Sequence, residues 1–248
     1  MRLSSIGILI FLLAFIACQK PPEDLAQSVI NRAISVQGGP AINHSTIDFD
    51  FRDRHYRSIR DGGNFQYERL LIVDSTSQNM LDVLTNKGLT RYINDTVVQL
   101  SSKDSAAYSN SVNSVIYYAL LPFFLNDPAV QKTYLDSVTI MGQPYHKIKV
   151  TFGQDKGGKD FEDEYVYWIH RKNYTMDYLA YNYQTDGGGA RFRQAYNPRT
   201  IAGIRFVDYY NFEPLNGSLD VEEFDRLFGQ DSMKLLSEIN TENIEVNN

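Results

Sequence analysis

A chain of 248 residues with 43% hydrophobic content is long enough to bury one large core, and a single domain is expected. Its 17 Tyr and 14 Phe favour pleated, half-buried surfaces over a helical bundle. A net charge of −6 with no clustered Lys and Arg excludes a nucleic-acid partner, because such binding is built on basic patches.

The chain opens with Met1-Arg2-Leu3 and then the apolar run Ile6 to Ala17, the charged start, short core and small last residue of a secretory signal spanning residues 1–17. That run is too short to span a bilayer. The single cysteine, Cys18, follows it, and Phe15-Ile16-Ala17-Cys18 resembles the lipobox of bacterial lipoproteins, with Phe15 where Leu is usual. The resemblance implies acylation at Cys18, palmitate included, and anchoring of residues 18–24 to a membrane as a short, proline-stiffened tether. Gln19-Lys20, with no Asp after the cysteine, implies the outer membrane by analogy with Gram-negative sorting, and its periplasmic face is the expected side.

An amphipathic helix is predicted over residues 23–37, with Ala26, Val29, Ile30 and Ala33 on one face and Gly38-Gly39-Pro40 ending it. Ile47, Phe49 and Phe51 alternate with Asp48, Asp50 and Arg52, a strand with one wet face. Further strands follow at 65–74, 80–85, 89–93 and 96–100, the last two joined by an Asn94-Asp95 turn. A second meander is read at 134–141, 148–152, 161–170, 174–183, 190–196 and 201–212. Gly187-Gly188-Gly189 and Asn197-Pro198-Arg199 are read as turns within it. Residues 219–228 read as a helix. The main domain covers 25–228, and 229–248 is a last strand or tail.

Between the two meanders lies Ser109 to Pro128. Val112, Val115, Ile116, Ala119, Leu120 and Phe123 share one helical face, while Tyr117, Tyr118, Leu121, Phe124 and Leu125 make the opposite face apolar. A helix with no side for water, kinked at Pro122, must be buried or exposed to an oily ligand. Val112, Ile116, Tyr117, Leu120, Leu121 and Phe124, with Trp168 and Tyr181 from the second meander, are the candidate ligand-contacting residues.

The lipobox, the opening helix ending at Gly38-Gly39, the aromatic alternation at Phe49 and Phe51, the inserted apolar helix and the second meander together resemble the lipoprotein-sorting proteins of the LolA/LolB type. Val112-Asn113-Ser114-Val115-Ile116-Tyr117 and Asp177-Tyr178-Leu179-Ala180-Tyr181 also resemble an uncharacterised family of Gram-negative lipoproteins. The resemblance implies an α+β fold: a curved antiparallel up-and-down sheet, or half-open barrel, with the apolar helix packed on its concave face. It implies a lipid acyl chain or other hydrophobic small molecule as the guest; an envelope protein is a further partner that the reading leaves open.

No Gly-x-Ser-x-Gly elbow, phosphate-cradling loop or dinucleotide fingerprint occurs, which counts against common enzymes, and no cofactor is expected. His55, His146 and His170 share the phase of apolar neighbours, but their scattered positions favour structural histidines over a metal site. Asp160, Glu162, Asp163 and Glu164 form a solvated strand entrance rather than a calcium loop. Asp208, in phase with Ile204 and Phe206, is expected to pair with Arg191 or Arg193. The alternatives are an envelope hydrolase or lyase using His146, His170 or Asp208, and a structural component of an envelope complex. An aldolase would need a lysine inside an eightfold strand-helix barrel, and no such alternation is present.

Overall fold

The computed structural model describes residues 24–73, 78–153, 163–184 and 187–247. The signal segment, Cys18, nearly all of the tether, and Asp160 and Glu162 lie outside the described residues.

Helix α1, Leu25–Gln37, buries Ala26, Val29, Ile30 and Ala33, as its periodicity predicts. It stops at Gly38, where φ is +95° and the amide bonds back to the carbonyls of Ile34 and Ser35. A Cβ there would lie 2.5 Å from the Gly203 carbonyl oxygen, so both the backbone angle and the close approach require glycine. A short helix α2, Gly39–Ile42, leads into the first meander.

That meander is β1 (Thr46–Phe51), β2 (Arg54–Asp61), β3 (Asn64–Val73), β4 (Gln78–Thr85), β5 (Gly88–Ile93) and β6 (Thr96–Val98). Strand β2 has no counterpart among the sequence-based expectations. The residues on the Tyr56 side of it are Arg54, Ser58 and Arg60, so buried positions such as Ser58 carry no apolar alternation to read.

Helix α3 runs Ser102–Ala119, starting earlier and ending sooner than the apolar stretch suggests. Ser101 caps it, its Oγ accepting from the Asp104 amide at 3.1 Å. The expectation of a helix without a wet side is corrected: Asn110, Ser111, Asn113 and Ser114 are exposed, while Val112, Ile116 and Leu120 are buried. Pro122 does not kink the helix. It begins a separate 3-10 turn, Phe123–Asn126, which leaves the helix axis and buries Phe124 and Leu125.

The second meander is β7 (Val130–Ile140), β8 (Gln143–Phe152), β9 (Tyr165–His170), β10 (Met176–Tyr183), β11 (Gly189–Ile201) and β12 (Ile204–Pro214). Helix α4 (Phe224–Gly229) and strands β13 (Met233–Ile239) and β14 (Glu242–Asn247) complete the chain. The turn expected at Asn197-Pro198-Arg199 is instead a bulge inside β11, with Asn197 at φ +48°, and the reversal comes at Ala202-Gly203. Asn has the short polar side chain that tolerates this backbone region.

Two seven-stranded antiparallel sheets result, ordered β14-β1-β2-β3-β4-β5-β6 and β13-β12-β11-β10-β9-β8-β7, and neither closes on itself. The C-terminal segment stitches them: β13 extends one sheet beside β12, and β14 extends the other beside β1. At the crossing, buried Asp208 accepts from Arg199 at 2.9 Å, from the Asn197 side chain at 2.7 Å and from the Thr241 amide at 3.0 Å. The partner is thus Arg199, not Arg191 or Arg193, because the bulge turns Arg199 toward β12.

Three apolar clusters form. One joins α1 and Leu121 and Leu125 to Tyr167, Ile169 and Leu179 of the second sheet. Another joins Val112, Ile116, Leu120 and Phe124 to Phe49, Tyr56 and Tyr67 of the first. The third lies on the other face of the second sheet, where α4 covers Trp168 and Phe192. The segment from Val112 to Leu125 therefore belongs to both inner clusters and wedges between the sheets.

Candidate functional site

The wedge leaves a cleft on each side of the C-terminal half of α3, and Ser114 and Tyr118 line both. The first cleft, about 410 Å³, lies between the β2–β3 hairpin and strands β7 to β9. Phe65, Tyr67, Tyr117, Phe124, Phe152 and Tyr165 supply aromatic walls, and Arg60, Asn86, Asn113 and Asp127 make the remainder polar. The Arg60 guanidinium donates to the Tyr67 hydroxyl and sits 4.9 Å and 5.5 Å from the ring centroids of Phe123 and Phe124. Burial raises the Asp127 carboxyl above its ordinary range, with Arg60 and Lys132 pulling the other way.

The second cleft, about 230 Å³, lies between β1 and strands β11 to β13. Phe49, Phe51, Val115, Ala119, Val207, Tyr209 and Ile239 line it, and its charged residues are Arg52 and Arg193, with no acidic side chain. Arg193 donates to the Tyr181 hydroxyl at 2.9 Å and lies 4.5 Å and 5.2 Å from the ring centroids of Tyr118 and Tyr181. Tyr118 in turn leans on Tyr117 and Tyr181, at ring separations of 6.0 and 5.7 Å. Burial drives its hydroxyl pKa upward, and that of Tyr209, pushed up to about 12, so both stay neutral donors.

What docks α3 is ionic at one end and apolar at the other. Asp82 accepts from Arg69 at 2.5 Å and from Arg91 at 2.6 Å, with all three residues buried. Arg69 also donates to Ser111 at 2.7 Å, and Arg91 lies 3.5 Å from the centroid of Tyr108, so both arginines reach the helix. Burial acts to raise the Asp82 carboxyl, but the hydrogen bonds from Arg91 and Arg69 outweigh it and hold it below the usual range.

Of the eight ligand-contacting candidates, Tyr117 and Phe124 line the first cleft. Val112, Ile116, Leu120 and Leu121 are 0 to 2% exposed and fill the core beneath the clefts. Tyr181 stands behind the second cleft, stacked on Tyr165 and bonded to Arg193. Trp168 is not brought to either cleft: it faces the opposite side of β9, against Phe192. Phe49, Tyr118, Tyr165 and Arg193 are cleft residues that the sequence reading did not assign. The alternation of Phe49 with Asp48 and Asp50 was the available signal for the first of these.

The histidines do not meet. His55 bridges Asp50 at 2.8 Å and Asp48 at 3.1 Å. His146 bonds Tyr134 at 3.1 Å, and His170 accepts from the amides of Lys172 and Asn173 in the β9–β10 turn. Asp208 is engaged at the sheet crossing. Glu164 of the acidic cluster pairs with Lys149 at 2.6 Å. No group of three or more His, Cys, Asp or Glu suited to a metal ion occurs among the described residues. No helix among them is long and apolar enough to cross a membrane.

Two open antiparallel sheets wrapped on a central helix make this a LolA-like α+β half-barrel. A LolA superfamily protein from Nitrosomonas europaea has the same fold, at 10% identity and a TM-score of 0.50, covering 90% of this chain and 91% of that one. A DUF1329 family protein from Desulfovibrio piger is similar at 11% identity and a TM-score of 0.54, covering 90% and 93%. By sequence, residues 8–241 match a family of unknown function, DUF6503, and the chain belongs to it. No curated protein matches the chain in sequence.

Proposed function

We propose that this protein binds a hydrophobic ligand or lipid acyl chain between its sheets, and does so as a lipoprotein held by Cys18 on the periplasmic face of the outer membrane. The observation that carries the binding reading is the wedge of Val112 to Leu125, which holds the sheets apart and leaves two aromatic-walled clefts instead of one sealed core. Their combined size suits a guest in the range of ordinary ligand cavities. A guest burying a few hundred Å² of apolar surface gains about 25 cal/mol per Å² before association costs, which supports micromolar binding. The half-barrel shared with a LolA superfamily protein is consistent with such a cargo.

Native mass spectrometry of protein extracted from membranes, and of delipidated protein offered fatty acids, tests this. A mass increase of one guest per chain is the expected result. Empty protein in both experiments overturns it. Anchoring is checked separately: Cys18→Ala should abolish incorporation of labelled palmitate and release the chain from the membrane fraction.

A further inference from the structure

The second cleft combines an apolar lining with a cation that nothing balances. Most buried or half-buried guanidiniums among the described residues have carboxylate partners: Arg69 and Arg91 share Asp82, Arg199 has Asp208, and Arg205 has Asp177 at 3.3 Å. Arg193 has no carboxylate partner among the described residues. Its Nη2 donates to the Tyr181 hydroxyl, its plane lies among tyrosine rings, and its Nε is closed to water with no hydrogen bond. A closed-off donor left unpaired is destabilising, and a cation in such a place favours an anion that would pair with it. Arg52, at the turn after β1, adds a second positive charge at the same cleft. In a chain with net charge −6, this is a local reversal of sign on an apolar surface.

From this we infer that the second cleft takes a long-chain carboxylate, with Arg193 as the partner of its head group and the aromatic and aliphatic lining as the seat of its chain. The planar fork of arginine matches the two oxygens of a carboxylate. Tyr118, which touches both clefts, stands where the chain would pass from one to the other, so its ring is the partition that a longer guest displaces. This inference rests on the proposal of a hydrophobic guest and adds its charge and its seat.

The test compares oleate with methyl oleate, equal in chain and different in charge, by titration calorimetry on delipidated full-length protein at pH 7.5. The wild type should prefer oleate by about tenfold or more, as expected for a charge-assisted pair. Arg193→Gln should lower oleate affinity about tenfold and methyl oleate affinity less, so that the preference for the charged probe is erased, and Arg193→Lys should restore part of that preference. Equal affinity of the wild type for both probes overturns the role of Arg193 while leaving hydrophobic binding intact. Binding of neither probe overturns both. The wild-type comparison needs no variant, so poor folding of Arg193→Gln leaves it decisive; a preference that survives in a folded Arg193→Gln contradicts the assignment.

Discussion

The two clefts share a wall and differ in how their charge is balanced. In the first, Arg60 has Asp127 on the same lining, its guanidinium rests on phenylalanine rings, and asparagines add polar surface. In the second, Arg193 and Arg52 face an otherwise apolar surface with no acid. Size alone would favour the first cleft, but selectivity follows desolvated, unbalanced charge more than volume. The larger cleft carries both signs of charge and several polar side chains, the smaller one only positive charge on a mainly apolar lining.

The largest expected effect comes from removing the shared wall. Asp82→Ala leaves Arg69 and Arg91 buried without their carboxylate and undocks α3, so a loss of about 3–5 kcal/mol in urea unfolding is expected, together with loss of both clefts. Next is a separation of the clefts by filling each. Val115→Trp occupies the second and should reduce oleate affinity at least about tenfold, whereas Asn113→Trp, in the first, should change it less than about threefold. Calorimetry on the two variants reads the contrast, and equal losses would erase the distinction.

Smaller again is Asp127→Asn, which takes the acid from the first cleft and makes its charge resemble that of the second. A gain of about two- to threefold in oleate affinity is expected for this rim position, with methyl oleate unchanged. The smallest effect lies on β1 and β2, where His55 joins Asp48 and Asp50 on the strand positions between those that line the cleft. Burial lowers the His55 pKa, but the hydrogen bonds to Asp50 and Asp48 outweigh it and the net shift is upward. Its stabilisation is therefore fully present below the unfolded histidine value of about 6.5 and is lost as pH rises through the higher folded value. His55→Gln should lower the melting temperature at pH 5.5 and hardly at all at pH 9. With the His55 side chain 40% exposed, the effect should stay below about 1 kcal/mol, and oleate binding should not change.

Where one face of an element is wet, the sequence carries its structure. Helix α1 follows the expected periodicity, strand β1 does so for Ile47 and Phe49 but buries Asp48 as well, against His55 and Arg57, and Asn94 and Asp95 take the positive φ that their turn demands. Where both faces of a strand are covered the sequence shows the strand but not which way its residues face, and where the buried face is polar, as in β2, the strand itself does not show. All six residues of β9 are buried, so alternation could not say that Tyr167 faces α3 while Trp168 faces α4. Strand β11 misleads for the same reason: Phe192 packs outward under the C-terminal helix and leaves Arg193 inside, the reverse of the hydrophobic-in rule. The polar first turns of α3 hid its start, since Tyr108 and Ser111 meet the sheet through Arg91 and Arg69 instead of through an apolar stripe.

The most direct measurement is a crystal structure of the delipidated protein soaked with a dibrominated stearate, read by bromine anomalous scattering. Bromine peaks between β1 and β12 beside Val115 and Ala119, with the carboxylate at Arg193, are the expected result. Peaks confined to the outer face near α4, or a sealed interior with no bromine between the sheets, would contradict it.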